Sequence, residues 1–268
     1  MTRYRQKIKK IGIVGCGVIG SSIALFINKD LRRKAKIIAL SDIDPKIASS
    51  LSKKLKPPAA IYNVDTLIKK SELVIEAANP GVASQVLKKT MSLKKDVLIM
   101  STGGLLKHTK LIEKAKKIGI NVYIPSGAIC GLDGLRAASI GKIKSVSLVT
   151  RKPPKGLKGA EYLRKKGIDI DRLKKELVIF SGSAEEAIRH FPKNINVSAT
   201  LSIMGIGPKK TKVKIVTSPL YTRNTHEIEV EGEFGRFFTR CENLPSKANP
   251  KTSQLAIFSA LSKLKEVL

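Results

Sequence analysis

Residues Lys10-Ile11-Gly12-Ile13-Val14-Gly15-Cys16-Gly17-Val18-Ile19-Gly20 join a short apolar run to Gly-x-Gly-x-x-Gly and then to an apolar-periodic segment. Strand, tight turn and helix in that order constrain the fold more than anything else in the chain. They form the phosphate-binding turn of a doubly wound sheet. Gly15 lets the chain turn sharply out of the strand, and Gly17 brings bare backbone up to a pyrophosphate. Gly20 lets the helix pack closely on the sheet. The helix start, with Val18 and Ile19 in its first turn, offers N–H groups and a positive dipole end to the phosphates. Ile19, Ile23, Phe26 and Ile27 fall on one helical face.

A second apolar run, Ile37-Ile38-Ala39-Leu40, ends in Ser41-Asp42. An acid at the end of the second strand, about 20 residues past the glycines, suits the hydroxyls of an adenosine ribose. Asp42 would repel a 2′-phosphate, which favours NAD, while Ser41 and Lys46 leave NADP open. The competing role for Asp42, shared with Asp44, is to cap the helix beginning near Pro45.

The first half alternates strands with helices. Strands fit Ile11–Val14, Ile37–Leu40, Ala59–Tyr62, Leu73–Glu76, Val97–Ser101 and Val122–Pro125. Helices fit Val18–Asn28, Lys46–Leu55, Gly81–Met91 and Thr109–Ile118, with a helical turn near Thr66–Lys69. Runs such as Val97-Leu98-Ile99-Met100 read as strands buried on both faces. The expectation is an α/β fold, a Rossmann-type doubly wound parallel sheet over residues 1–125. Its ligand loops would include Glu76-Ala77-Ala78-Asn79-Pro80, with Ala78 a cofactor contact, and Ser101-Thr102-Gly103-Gly104. After residue 125 the pattern changes. Helices fit Leu132–Ser139, Ala184–His190 and Asn196–Met204; strands fit Ser145–Thr150, Leu177–Phe180, Val213–Thr217 and Thr225–Glu231. A lysine-rich stretch to Lys175 reads as surface. Half-polar strands suit a smaller α+β domain with a mixed sheet over residues 126–251. A final helix from Thr252, with Leu255, Phe258, Ala260, Leu261 and Leu264 on one side, would pack back on the first domain.

Composition narrows the classes. The 268 residues carry a formal charge of +30. Clustered cations would suggest nucleic acid, but these lysines are spread over nearly every helix, and aromatics, at 4%, are too few for stacking platforms. The pattern reads as a solvated lysine-rich surface that steers anionic ligands. No segment approaches the roughly 20 apolar residues of a bilayer span, and no cleavable apolar stretch follows the basic start, so a cytoplasmic protein is expected. Cys16, Cys130 and Cys241 are few, scattered and without zinc spacing, which argues for a reducing compartment and no metal.

Three longer segments are more specific: Ile124–Gly134 (IPSGAICGLDG), Phe191–Thr200 (FPKNINVSAT) and Thr222–Gly235 (TRNTHEIEVEGEFG), followed by Glu242–Ser246 and Asn249–Ser253. With these the chain closely resembles the L-aspartate dehydrogenase family over nearly its full length. The resemblance implies NAD- or NADP-dependent oxidative deamination of L-aspartate to iminoaspartate, which either hydrolyses to oxaloacetate and ammonia or feeds quinolinate and NAD biosynthesis. It also implies His226 in the active site, cofactor contacts at Ala128 and Asn196, and a homodimer. The stretch Ala78-Asn79-Pro80-Gly81 and the lysine-rich segment near 155–175 depart from the family pattern.

The residues themselves are consistent with this chemistry. His226 alternates in step with Ile228 and Val230, opposite Glu227, Glu229 and Glu231. An imidazole there could accept the amine proton, or bind a carboxylate when charged. A dicarboxylate needs cations or dense donors. Lys193 and Arg223 flank the matched motifs, with Asn194 and Thr225 beside them and Arg136 a weaker candidate. Two other functions compete: a different oxidoreductase of the dihydrodipicolinate-reductase-like type, and a non-enzymatic NAD-responsive nucleic-acid-binding protein.

Overall fold

The computed structural model describes residues 7–191, 196–246 and 249–268. The chain divides into two compact units, Met1–Pro125 with Ile257–Leu268, and Ser126–Ala256.

The first unit runs β1 (Lys9–Val14), α1 (Val18–Asp30), β2 (Ala35–Ser41), α2 (Pro45–Lys53), β3 (Ala60–Ile61), α3 (Val64–Lys70), β4 (Leu73–Glu76), α4 (Pro80–Ser92), β5 (Asp96–Ile99), α5 (Thr109–Lys117) and β6 (Val122–Tyr123). All six strands are parallel, in the order β3-β2-β1-β4-β5-β6. This is the doubly wound order, which places ligands beyond the carboxyl ends of the central strands. Val74, Ile75, Val97, Leu98 and Ile99 are wholly buried, as central parallel strands require. Short polar side chains start the helices. Asp44 accepts from Lys46 N–H at 2.9 Å, Asn63 from Thr66 at 2.9 Å, and Asn79 from Gly81 at 2.9 Å, with Pro45 and Pro80 opening α2 and α4. The fifth strand ends earlier than the apolar run suggests, because the Ser101 N–H turns to a side-chain acceptor on Glu76.

The second unit contains α6 (Leu132–Ala138), β7 (Ile143–Lys152), α7 (Glu161–Lys165), β8 (Leu177–Ser183), α8 (Ala184–His190), α9 (Asn196–Met204), β9 (Lys212–Thr217), β10 (Asn224–Gly232) and β11 (Gly235–Asn243). Its sheet has the order β11-β10-β7-β9-β8, with β7 and β9 parallel and the other pairs antiparallel. One face carries Val146, Leu148, Val213, Ile215, Ile228 and Val230, packed with Leu135, Ala187 and Leu201 of the helices. A capping box fixes the start of α8: Glu186 N–H donates to Ser183 Oγ, and Ser183 N–H to the Glu186 carboxylate. A two-stranded ribbon, β12 (Pro245–Ser246) with β13 (Asn249–Ser253), precedes α10 (Gln254–Val267).

Three expectations are corrected. Strand β11 was not anticipated: its inward residues Phe237, Thr239, Cys241 and Asn243 are too mixed to show an apolar period. The lysine-rich stretch is more than surface, since Leu157, Leu163 and Ile170 are buried anchors in the second core. On α10 the buried stripe is Ile257, Ala260 and Leu264, at helical spacing, while Leu255 and Phe258 point outward. Ala260 and Leu264 join the core of Ile11, Ile13, Ile23 and Leu40. Among the described residues no helix is long and apolar enough to cross a membrane, and no group of three or more His, Cys, Asp or Glu is placed to hold a metal.

Candidate active site

In the first unit the glycine loop leaves β1 at Gly15, whose φ of +92° is left-handed. A Cβ on Gly20 would lie 1.9 Å from the Gly15 carbonyl oxygen, so α1 touches the loop backbone directly. Gly17 is the opposite case. It is exposed, a Cβ there would meet nothing within 4 Å, and it stands at the cap of α1, where no side chain covers the helix end. The first-turn N–H groups of a helix lack intrahelical acceptors. Open space, bare backbone and a helix N-terminus together fit the pyrophosphate of a dinucleotide. Val18 and Ile19 form the first turn of α1.

Asp42 shapes the loop. Its Oδ2 accepts the Cys16 N–H at 2.6 Å, and its Oδ1 accepts the Asp44 N–H at 3.0 Å. The cap of α2 is Asp44 alone. Each Asp42 oxygen accepts one N–H and keeps a further lone pair. Burial and the negative charge of Asp42 push the Cys16 thiol up to about 12, which leaves it chemically quiet.

Glu76 was outside the anticipated contacts. It is wholly buried at the end of β4. Its Oε1 accepts the Ala78 N–H at 2.9 Å and its Oε2 the Ser101 N–H at 3.0 Å. One carboxylate thereby ties together the loops after β4 and β5. Burial raises its pKa, and the Ser101 and Ala78 N–H groups oppose the rise. Ala78 itself is exposed, between this bond and the Asn79 cap.

In the second unit His226 is 5% exposed. It faces the core side of β10 with Ile228 and Val230, directly across from Thr150 of β7. Its Nδ1 is 3.1 Å from the Thr150 hydroxyl. Burial, reinforced by the positive charge of Lys152, lowers the imidazole to about 3, so it is neutral near pH 7. Lys152 shares the face of Thr150 and lines a small cavity with Thr150, Phe191, Ser198, Val213 and Ile215. Part of the residue reaches the surface, but burial lowers its ammonium to about 8. Sequence reasoning missed Lys152. It ends an alternating strand in a chain of 51 Lys and Arg, and only the β7–β10 register reveals its neighbour.

The remaining candidates lie variously. Ala128 is buried, and its carbonyl accepts from Asn243 Nδ2 at 3.0 Å. Asn196 opens α9 and is exposed. Thr225 is buried next to His226 in the strand, so its side chain lies on the opposite face of β10 and does not join the imidazole. Arg223 is exposed before β10, and Arg136 is exposed on α6. Lys193 and Asn194 lie outside the described residues. His190 packs its ring against Tyr162 at 4.6 Å.

Two outcomes check this geometry. Gly17→Ala should leave urea stability within about 0.5 kcal/mol and weaken NAD binding about tenfold or more in calorimetry. Gly20→Ala should instead lower stability by roughly 1–3 kcal/mol through overpacking; equal effects of the two changes on folding would contradict the distinction. The second concerns pH. The folded imidazole resists protonation until about 3, whereas an unfolded one takes its proton near 6.5. The stability tied to neutral His226 is therefore present above 6.5 and lost as pH falls toward 3. Relative to His226→Asn, the wild type should lose on the order of 2 kcal/mol between pH 7 and pH 5. A pH-independent difference in unfolding free energy would mean that the ring is not held neutral.

Comparison with known proteins agrees with both halves. Residues 15–125 match the family model "Homoserine dehydrogenase, NAD binding domain", and residues 133–267 match "Aspartate dehydrogenase, C-terminal". The chain is 46% identical to the L-aspartate dehydrogenase of Methanosarcina acetivorans, with 97% of each covered. It is 39% identical to that of Nitrosopumilus maritimus, covering 97% of this chain and 96% of the relative. The crystal structure of aspartate dehydrogenase from Thermotoga maritima superposes with a TM-score of 0.75 at 27% identity, covering 97% of each chain. A dinucleotide-binding unit followed by this second unit, at such identity over nearly the whole length, places the chain in the L-aspartate dehydrogenase family of NAD(P)-dependent oxidoreductases.

Proposed function

We propose that the protein oxidatively deaminates L-aspartate to iminoaspartate with NAD or NADP, within residues 1–125 as the dinucleotide unit and 126–251 as the substrate unit. The neutral, buried His226 beside Thr150 and Lys152 carries this reading within the second unit. When bound, the nicotinamide accepts the hydride that leaves Cα, which is the step the protein cannot supply itself. The Gly15–Gly20 loop and Asp42 would hold the nucleotide, and the Asp42 charge favours NAD over a 2′-phosphorylated cofactor. Glu76 would keep the two loops beyond β4 and β5 in place for it.

The amine must lose a proton before nitrogen can form the C=N bond. An imidazole neutral at pH 7 carries no standing charge, and the carboxylates of a bound dicarboxylate would raise it from about 3 toward the range in which it accepts that proton, while a hydroxyl on Nδ1 fixes its ring. This supports the base role for His226 over a role as a standing cation. Lys152, positively charged below about 8, then supplies the carboxylate attraction that a dicarboxylate requires. Arg223 remains a proposed secondary contact, with Lys193 and Asn194. Iminoaspartate would leave to hydrolysis or to quinolinate and NAD biosynthesis.

A homodimer is the proposed assembly. The side of β10 and β11 away from His226 carries Glu227, Glu229, Arg236, Arg240 and Phe238. Phe238 is 56% exposed, and ion pairs Arg240–Glu227 at 3.3 Å and Arg236–Glu229 at 3.3 Å surround it. Such a half-apolar sheet face suits self-association about a two-fold axis.

Aspartate-dependent formation of reduced nicotinamide, followed by absorbance with NAD and NADP separately, tests the activity. His226→Ala should lower kcat by about 10²–10⁴-fold while leaving NAD affinity unchanged; full turnover would remove His226 from the chemistry. Lys152→Met should raise the KM for aspartate about 10–100-fold. It should also abolish the fall in kcat/KM expected as wild-type enzyme is taken above about pH 8. By light scattering, the wild type should be dimeric and Phe238→Lys should shift it toward monomer; a monomeric wild type would discard the dimer.

A further inference from the structure

Cys130 and Cys241, 111 residues apart in sequence, place their sulfurs 3.0 Å from each other, both as free thiols. Cys130 sits in the loop between Ala128 and α6 and is exposed. Cys241 is half-buried on β11, directly across from His226 in the β10–β11 register. In an antiparallel pair, opposed side chains share a face, with Cβ atoms about 4.5–5.5 Å apart. The backbone on either side of the thiol pair is already fastened. The Thr239 hydroxyl donates to the Cys130 carbonyl at 3.4 Å, and Asn243 Nδ2 donates to the Ala128 carbonyl at 3.0 Å. A disulfide sulfur pair lies about 2.05 Å apart, so a bond asks for a shift of about 1 Å in two side chains on a framework already in place. Neither thiol has a part in the proposed deamination.

We propose that Cys130 and Cys241 are a reversible oxidation site for hydroperoxides, whose disulfide draws the Cys241 side chain away from its place across from His226 and slows the enzyme. The exposed Cys130 is the sulfur an oxidant reaches first. It attacks the peroxide O–O bond, giving Cys130 sulfenic acid and releasing the remainder as water or an alcohol. Cys241 then attacks the Cys130 sulfur. The S–O bond breaks, the S–S bond forms, and water departs with the Cys241 proton. The two sulfurs together lose two electrons, and the peroxide gains them. A thiol reductant reverses the step by exchange. Burial and the neighbouring Cys130 sulfur hold the Cys241 thiol up at about 11, which keeps it from meeting the oxidant itself, and its 3.0 Å approach to the Cys130 sulfur is what fits it to resolve a sulfenic acid there. Cys16, buried and quiet, is an internal control. The effect on rate rests on the proposed role of His226; bond formation does not.

The experiment treats the full-length protein with stoichiometric hydrogen peroxide, quenches it, alkylates it after denaturation and digests it. The expected result is a Cys130–Cys241 linked peptide, an intact mass lower by two hydrogens, and alkylation of Cys16 alone. Aspartate oxidation should fall about 10–100-fold, since a misplacement of about 1 Å at a reacting site can cost on the order of 10²-fold, and dithiothreitol should restore it. Cys130→Ser should be indifferent to peroxide. Cys241→Ser should instead accumulate a sulfenic acid on Cys130 that dimedone traps. Alkylation of all three cysteines after treatment, or a link through Cys16, would overturn the site. A clean Cys130–Cys241 link with unchanged turnover would overturn its control of the enzyme while leaving the deamination reading intact. Loss of turnover in peroxide-treated Cys130→Ser would place the sensitivity elsewhere.

Discussion

The first unit depends on a contact between two pieces of bare backbone. The Gly15 carbonyl and the Gly20 Cα approach so closely that a single Cβ would sit 1.9 Å from oxygen. Packing of that kind brings the start of α1 down onto the end of β1 and leaves Gly17 standing in the open. The Cys16 N–H then reaches Asp42 at 2.6 Å, which joins the loop to the end of β2. Glu76 makes the equivalent connection on the other side, drawing the loops beyond β4 and β5 onto one buried carboxylate. The rim of the sheet is therefore held by a few charged or polar acceptors taking backbone donors, while Ile11, Ile13, Ile23 and Leu40 fill the interior. Backbone N–H donors meeting carboxyl oxygens in this way fix the loops that a dinucleotide would touch.

The second unit solves a different problem. It buries an imidazole and keeps a cation close to it. Neither arrangement favours folding by itself, because desolvation disfavours both charged forms. His226 answers by remaining neutral, with its Nδ1 against the Thr150 hydroxyl. Lys152 answers by a lowered affinity for its proton, at about 8. The groups are thereby kept in states from which a proton or a carboxylate changes the local charge greatly, a common property of sites that do chemistry.

Much of the first unit was legible, because parallel strands covered on both faces announce themselves as unbroken apolar runs, and because Gly-x-Gly-x-x-Gly has few structural meanings after a strand. Asp42 was legible by its distance from the glycines, although its work on the Cys16 N–H was not. Glu76 was hidden: a carboxylate bonded to two loops reads in sequence as an ordinary strand end. In the second unit the half-buried strands gave alternation enough for β7, β9 and β10. They did not give β11, whose inward positions mix Phe237 with Thr239, Cys241 and Asn243. Lys152 and the Cys130–Cys241 pair share one cause of invisibility. Each acquires meaning only when a distant segment is brought beside it by strand register, and no local pattern encodes that meeting.

The closing turns of α10 belong to the core of the first unit, where Ala260 and Leu264 are wholly buried. The strands and helices they complete are all finished by residue 125. On a ribosome, the opening domain would therefore emerge, gather its parallel strands, and then wait through the synthesis of more than half the polypeptide before its last apolar seam could close.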